Sequence, residues 1–383
     1  MEDGYSITLD KISLDNTDHL SGVAQTEAVE WLQFVLNTER TIPSINNWRN
    51  VFAFCDKQKI GGVCEPTRFD VHVDDKVLLG WVALVRQLEI SNSLLNERVC
   101  QLFQKLQKDG FRCCLLKGQG NAEMYPNPNL RFPGDIDVWI DADENTIYDY
   151  VLKQFPDAKI IYKHIKFPVF TDVHVDVHQT PLKLRNPISQ SRLQQWIEDN
   201  KEEQFSHMVK MTGTETEVAV PTARFNAVYH LGHIMIHIFD KGIGLRQLID
   251  YYYVLKNLEG ISEEEKEQIR KAWKRFGMDR LASAIMWIEH EVLGLPEQYL
   301  LTTPDEKWGR KIFEGTLEGG NLGKYSQRQV NVGKGRLNKR IATFKRLMRL
   351  FPCFPGETFS RLMTKTVTMF KRDMGKMINL SVR

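Results

Sequence analysis

No stretch of the chain constrains its fold more than Thr171-Asp172-Val173-His174-Val175-Asp176-Val177-His178. The alternation is strict. A strand points successive side chains to opposite faces, so Val173, Val175 and Val177 share one face and Asp172, His174, Asp176 and His178 the other. The valines predict a half-buried strand, taken here as Val169–His178. The four ionisable groups fit either a solvated sheet face or a site. Upstream, Asp135-Ile136-Asp137 opens a second expected strand, Ile136–Ile140. Two carboxylates on one face of a strand suit Mg²⁺, or Mn²⁺ in its place, because such ions take few carboxylates and leave positions for phosphate oxygens and water. A lone D-x-D also arises as solvated surface acids. A third acid beside the pair strengthens the metal reading, and Asp176 is preferred over Asp172 for it. There it would serve the acceptor side and could take the acceptor's proton. His174 and His178 would be further ligands or would orient the acids.

Between the two comes Lys117-Gly118-Gln119-Gly120, which follows an expected strand (Arg112–Leu116) and opens an expected helix (Gly118–Met124) closed by Tyr125-Pro126. A helix N-terminus offers unpaired N–H groups to phosphate, and glycine lets the backbone approach. Lys117 would add a point charge and Arg131 a planar fork. The spacing is not that of a Walker A loop. Strand–helix turns containing glycine are also common as plain structure.

The rest of the chain reads as helical. Helices are expected over 27–37, around Trp48, Val51, Phe52 and Cys55, and within 75–109 with Gly110 as its stop. After Pro181 they are expected over 189–204, 222–239, 245–257, 262–275 and 280–292. The result is an α+β chain: a small mixed sheet flanked by N-terminal and C-terminal helical regions. Four regions follow: a helical 1–95, a core 96–185, a helical 186–320 and a basic tail 321–383. The 42% hydrophobic content suffices for a core without cross-links. The six cysteines lack C-x-x-C spacing, so free thiols in a cytoplasmic protein are expected. The polar start MEDGYSITLDKIS is unlike a signal peptide, and no apolar run is long enough to span a bilayer.

Two further features carry charge. His230, His233 and His237 share a helical face, as a metal site or as hydrogen-bonded packing. Arg246 and Asp250 are spaced to pair on one helix. The stretch 321–383 holds 15 Lys+Arg against 2 Asp+Glu, so the net +2 hides a basic tail on an acidic body. With Phe344, Leu347, Leu350, Phe351, Phe354 and Phe359 interleaved, that tail fits an anionic membrane surface, nucleic acid, or packing on the acidic body itself.

Leu116-Lys117-Gly118, Tyr125-Pro126, Arg131, Gly134-Asp135-Ile136-Asp137 and Asp176-Val177-His178, in this order, resemble the uncharacterised nucleotidyltransferase family of bacteria, within the DNA polymerase beta-like superfold. The likeness runs over about 28–300, taking in Trp48–Gly61 and His230–Asp250. Where the superfold usually has Gly-Ser or Gly-Gly, this chain has Lys117-Gly118-Gln119. The resemblance implies transfer of a nucleoside monophosphate from an NTP to an acceptor it does not name, with pyrophosphate released. Asp135, Asp137 and Asp176 would be the catalytic and metal-binding acids. Lys117, Gly118, Gln119 and Arg131 would hold phosphate, with His233 and Arg246 on the helical wall of the cleft. It also implies a surface-polysaccharide setting, at the inner face of the membrane if the tail attaches there. A non-catalytic module of such a system, or a toxin-like enzyme acting on protein or RNA, are the other readings.

Overall fold

The computed structural model describes residues 22–161, 164–319, 341, 344–345 and 347–364. The elements run α1 (Gly22–Leu36), α2 (Trp48–Gln58), α3 (Asp75–Lys108), β1 (Cys113–Leu116), α4 (Gly118–Ala122), β2 (Ile136–Ile140), α5 (Glu144–Gln154), β3 (Ile160–Ile161), β4 (His164–Lys166), β5 (Val175–His178), α6 (Pro187–Ser206), β6 (Met208–Lys210), β7 (Glu217–Ala219), α7 (Ala223–Asp240), α8 (Leu245–Lys256), α9 (Glu263–Phe276), α10 (Asp279–Trp287) and α11 (Glu306–Gly319). This is the expected α+β arrangement. The main sheet has the order β1-β2-β5-β4-β3. Its central pair, β2 and β5, is parallel, and the other pairings are antiparallel. β6 and β7 form a separate hairpin.

The strand alternation works as read, but over a shorter length. Ile136, Val138, Val175 and Val177 enter one hydrophobic cluster with the second half of α3 and with α5. Cys114, Leu116 and Trp139, on the other face, join a second cluster built from α1, α2 and the helices after β5. α3 belongs to both: Trp81, Leu84 and Leu88 pack in one, Val99, Leu102 and Leu106 in the other. The expected strand Val169–His178 begins only at Val175. Asp172 explains the difference, because Arg98 of α3 holds its carboxylate at 2.6 Å and draws 171–173 into a bend off the sheet. Asp172 is thereby excluded as the third acid.

Local signals set the helix ends. Asp74 caps α3, Asn186 caps α6 ahead of Pro187, and Ser262 with Glu265 makes a reciprocal capping box on α9. Gly277, at φ +74°, closes α9 in the left-handed conformation glycine tolerates. All six cysteines are free and buried, and among the described residues no helix is long and apolar enough to cross a membrane.

A π-helical turn, Ile288–Val292, ends α10 and buries Glu289 completely, with neither carboxylate oxygen partnered. Burial pushes this carboxyl far above the usual range, so it is held protonated. The folded state therefore binds the proton more tightly than the unfolded chain. The stability from the neutral acid is complete below the unfolded carboxylate pKa and is lost as pH rises toward the folded one. Glu289→Met should raise the melting temperature, and more at pH 8 than at pH 5. Equal shifts at the two pH values, by calorimetry, would sink this account.

Candidate active site

β2 and β5 set the spacing of the two buried acids. In their parallel ladder Asp137 pairs with Asp176, so the two carboxylates leave the same face from neighbouring strands about 4.8 Å apart at the backbone. Both are nearly inaccessible, Asp137 at 6% and Asp176 at 5%. Asp135 stands one residue before β2 and is exposed. The ladder reaches it only through the next amide, since the Ile136 N–H donates to the His174 carbonyl.

Each buried acid holds cationic or imidazole partners. Lys117 Nζ lies 2.9 Å from Asp137 Oδ2, and His178 Nε2 lies 2.8 Å from Oδ1. Lys166 Nζ lies 2.8 Å from Asp176 Oδ1, with His164 Nε2 3.2 Å from Oδ2. The consequences differ. For Asp137 burial disfavours the charge, but Lys117 and His178 outweigh it and hold the carboxyl well below the usual range. For Asp176 burial and then repulsion from Asp137 win over Lys166, and its carboxyl sits above the usual range. Burial likewise lowers His178, which is neutral and donates from Nε2 to Asp137. Its Nδ1 finds no partner. Burial opposes the charge on Lys117, and Asp137, with lesser contributions from Tyr229 and Asp135, restores it.

The turn after β1 is strained. Lys117 adopts φ +50°, ψ −146°, a region that L side chains rarely occupy. Gly118 follows at φ +40°, and a Cβ there would come within 3.3 Å of the Asp135 carbonyl oxygen. The conformation throws the lysine toward the acids and presses the turn against the Asp135 backbone. α4 has only five residues, shorter than the expected 118–124, so it supplies little dipole. Gln119 turns away from the acids: it is 3% exposed and donates to Asn92 and Asn96 of α3. Its expected phosphate role is not what the side chain serves.

Arg131 is a second correction. Its guanidinium is 4% exposed and grips Asp250 of α8 with Nε at 2.8 Å and Nη2 at 2.9 Å, and Nη1 donates to the Phe132 carbonyl. Tyr125 donates to the same carboxylate at 2.6 Å. With three of its five N–H donors taken, two of them by Asp250, and the side chain almost fully buried, Arg131 is turned to Asp250 and not to phosphate. The expected Arg246–Asp250 pair is replaced as well. Arg246 reaches over the loop to the Phe132 and Pro133 carbonyls at 3.5 and 3.4 Å, and its Nε is unpartnered. Burial, and then Arg131, lower its pKa while Asp250 and Asp135 pull the other way.

The histidine helix divides by role. His230 accepts from Asn121 at 2.6 Å, and burial pushes its pKa down to about 4, which makes it a packing group. His233 Nε2 lies 3.3 Å from Lys117 Nζ, and His237 follows 3.1 Å behind. A connected line therefore runs Asp137–Lys117–His233–His237. Lys166 and His164, on a hairpin that sequence periodicity did not reveal, are additions to the site. Among the described residues no three carboxylate, imidazole or thiolate groups already close into a metal cage. A separate cavity of about 550 Å³ lies beyond the far ends of β2 and β5, lined by Trp139, Thr180, Gln194 and Lys201 among others, away from the acids.

Comparison with curated proteins found no match. Among solved structures the chain is similar to an antigenic nucleotidyltransferase-like protein from Paracoccidioides brasiliensis, at 13% identity and a TM-score of 0.27, over 49% of this chain and 88% of that one. That likeness is too slight to carry an argument. The sequence profile described as "Uncharacterised nucleotidyltransferase" matches residues 46–294, well over half of the chain and all of the acids, lysines and arginines discussed above. By that match the chain belongs to the uncharacterised nucleotidyltransferase family.

Proposed function

We propose that the protein transfers a nucleoside monophosphate from an NTP to an acceptor, with Mg²⁺ or Mn²⁺ held by Asp135, Asp137 and Asp176. The observation that carries this reading is the register of Asp137 with Asp176 beside an exposed Asp135. The donor set is all carboxylate oxygen, as a hard divalent ion prefers, and of the burial and the repulsion from Asp137 that raise Asp176, a cation would relieve the second. When bound, the ion would neutralise charge building on the phosphate oxygens. The protein groups do the rest. Lys117 and the Gly118 backbone take the NTP phosphates, Arg246 stands in for the fork first assigned to Arg131, and His233 backs Lys117. The acceptor oxygen bonds to the α-phosphorus, the bond to the bridging oxygen breaks, and pyrophosphate departs. Asp176, on the acceptor side, takes the acceptor's proton. Catalysis rests on positioning and on preorganised charge. A surface-polysaccharide setting remains part of this proposal through the family resemblance alone.

One observation favours a second reading. Each buried acid already holds a lysine, and no metal cage stands ready among the described residues. That arrangement suits a module that binds nucleotide without turning it over. Incubation with α-labelled NTPs and Mg²⁺ separates the two. Label on a small acceptor supports transfer, label on protein or RNA supports the toxin-like form, and saturable binding without transfer supports the module. Arg246→Ala should raise KM for NTP by about tenfold or more with kcat nearly unchanged, the loss of one charged contact. An unchanged KM would remove Arg246 from the nucleotide side.

A further inference from the structure

The described part of the C-terminal stretch bears on the readings left open for the basic tail and presents a new surface. Its inner face packs on the body. Leu347, Cys353 and Phe354 are 1–2% exposed and belong to the helical core. Glu357 accepts from the backbone N–H groups of Arg185 and Asn186, and Arg361 bonds Asp240 of α7 at 2.6 Å and lies over the Phe239 ring. This part is self-association with the acidic body. The rest of the tail lies outside the described residues.

Among the described residues, the outer face has no such cover. Ile341, Phe344, Met348 and Phe351 are exposed by 44%, 54%, 43% and 39%, and Phe359 and Met363 by 58% and 50%. At helical spacing, residues 341, 344 and 348 fall on one stripe, and 351 continues it. Leu347 and Leu350 lie to one side of that stripe, against the body. Lys345 and Arg349, both exposed, lie to the other side. Exposed aromatic and methionine side chains gathered on one stripe mark a contact surface. A basic border facing solvent selects what it meets, because an anionic partner is attracted and a basic one repelled.

We propose that this face docks on an anionic lipid surface. The helix lies in the interface plane with Phe344, Met348 and Phe351 among the acyl chains and Lys345 and Arg349 at the headgroups. The 15-to-2 excess of basic residues over 321–383 adds to the attraction. The inner contacts clamp the helix to the body, so docking brings the folded protein to the bilayer.

The test uses the full chain and vesicles of phosphatidylcholine alone or mixed with phosphatidylserine. Co-sedimentation is expected with the mixed vesicles only, and it should weaken as salt rises. Phe344→Ser with Phe351→Ser should reduce binding at least about tenfold, the loss expected from two aromatic side chains. Lys345→Gln with Arg349→Gln should reduce it several-fold and flatten the salt dependence. All these positions are exposed, so unchanged thermal melting is the expected folding control. Equal binding to both vesicle types would overturn the proposal. So would unimpaired binding of the Phe344→Ser, Phe351→Ser protein. A concentration-dependent dimer that this variant dissociates, without vesicle binding by the parent chain, would assign the face to a second copy instead.

Discussion

Asp135→Asn should cut nucleotidyl transfer by about a hundredfold or more while leaving the melting temperature almost unchanged. The expectation rests on exposure. Asp135 is exposed at the mouth of the acidic face, and among the described residues its side chain makes no hydrogen bond or close ion pair, so its charge matters to substrate and ion and little to folding. Asp137→Asn should also abolish transfer, but for a mixture of reasons. It leaves buried Lys117 without its carboxylate, and removal of one partner of a buried pair costs about 3–5 kcal/mol. A dead Asp137→Asn protein is therefore ambiguous, and a dead Asp135→Asn protein is not. Turnover with α-labelled NTP, read beside calorimetry, distinguishes them. Full activity in folded Asp135→Asn would end the assignment of that residue to the metal.

Asp250→Ala should be the most destabilising single change outside the cores, again by about 3–5 kcal/mol. It strands the buried Arg131 guanidinium and the Tyr125 hydroxyl together. The same pair decides whether Arg131 reads phosphate. Arg131→Met combined with Asp250→Leu removes both charges, which restores much of the lost stability in comparable buried pairs. If Arg131 serves only Asp250, the double variant recovers its melting temperature and also keeps nucleotide affinity. Recovered stability with nucleotide binding lost would return Arg131 to the phosphate site.

Much of the fold was legible because it was periodic. The valine alternation gave the faces of β5, and the D-x-D gave the start of β2 with Ile136 turned into the core. What the sequence could not convey was partner choice. Asp172 and Asp176 look alike on a strict alternation, and only the position of Arg98 on α3 takes Asp172 out of the sheet. Arg131 read as the phosphate fork and Arg246 as the partner of Asp250 or part of the cleft wall, until the fold gives Asp250 to the first and leaves the second over the 132–135 loop. The hairpin carrying His164 and Lys166 is too short to leave a period, and α5 after Asp143 was not among the expected helices. Gln119 was placed by its position in a loop, whereas its amide was destined for Asn92 and Asn96.

The register of β2 with β5 also has a mechanical side. Backbone ladder bonds hold Asp137 and Asp176 as a ruler of fixed length, because shifting either strand by one residue would turn its acid into the valine cluster. The opposite jaw is of another kind. His233 and Arg246 ride on α7 and α8, which pack by side chains and touch the ruler through Lys117 and the Asp135 loop. Side-chain packing yields to small rotations that a ladder resists. Any opening for a larger substrate should thus move the clamp on the phosphates and leave the carboxylate gauge unaltered. Changes in α7 or α8 would then show first as altered choice of nucleotide, with the preference for one divalent ion over another left intact.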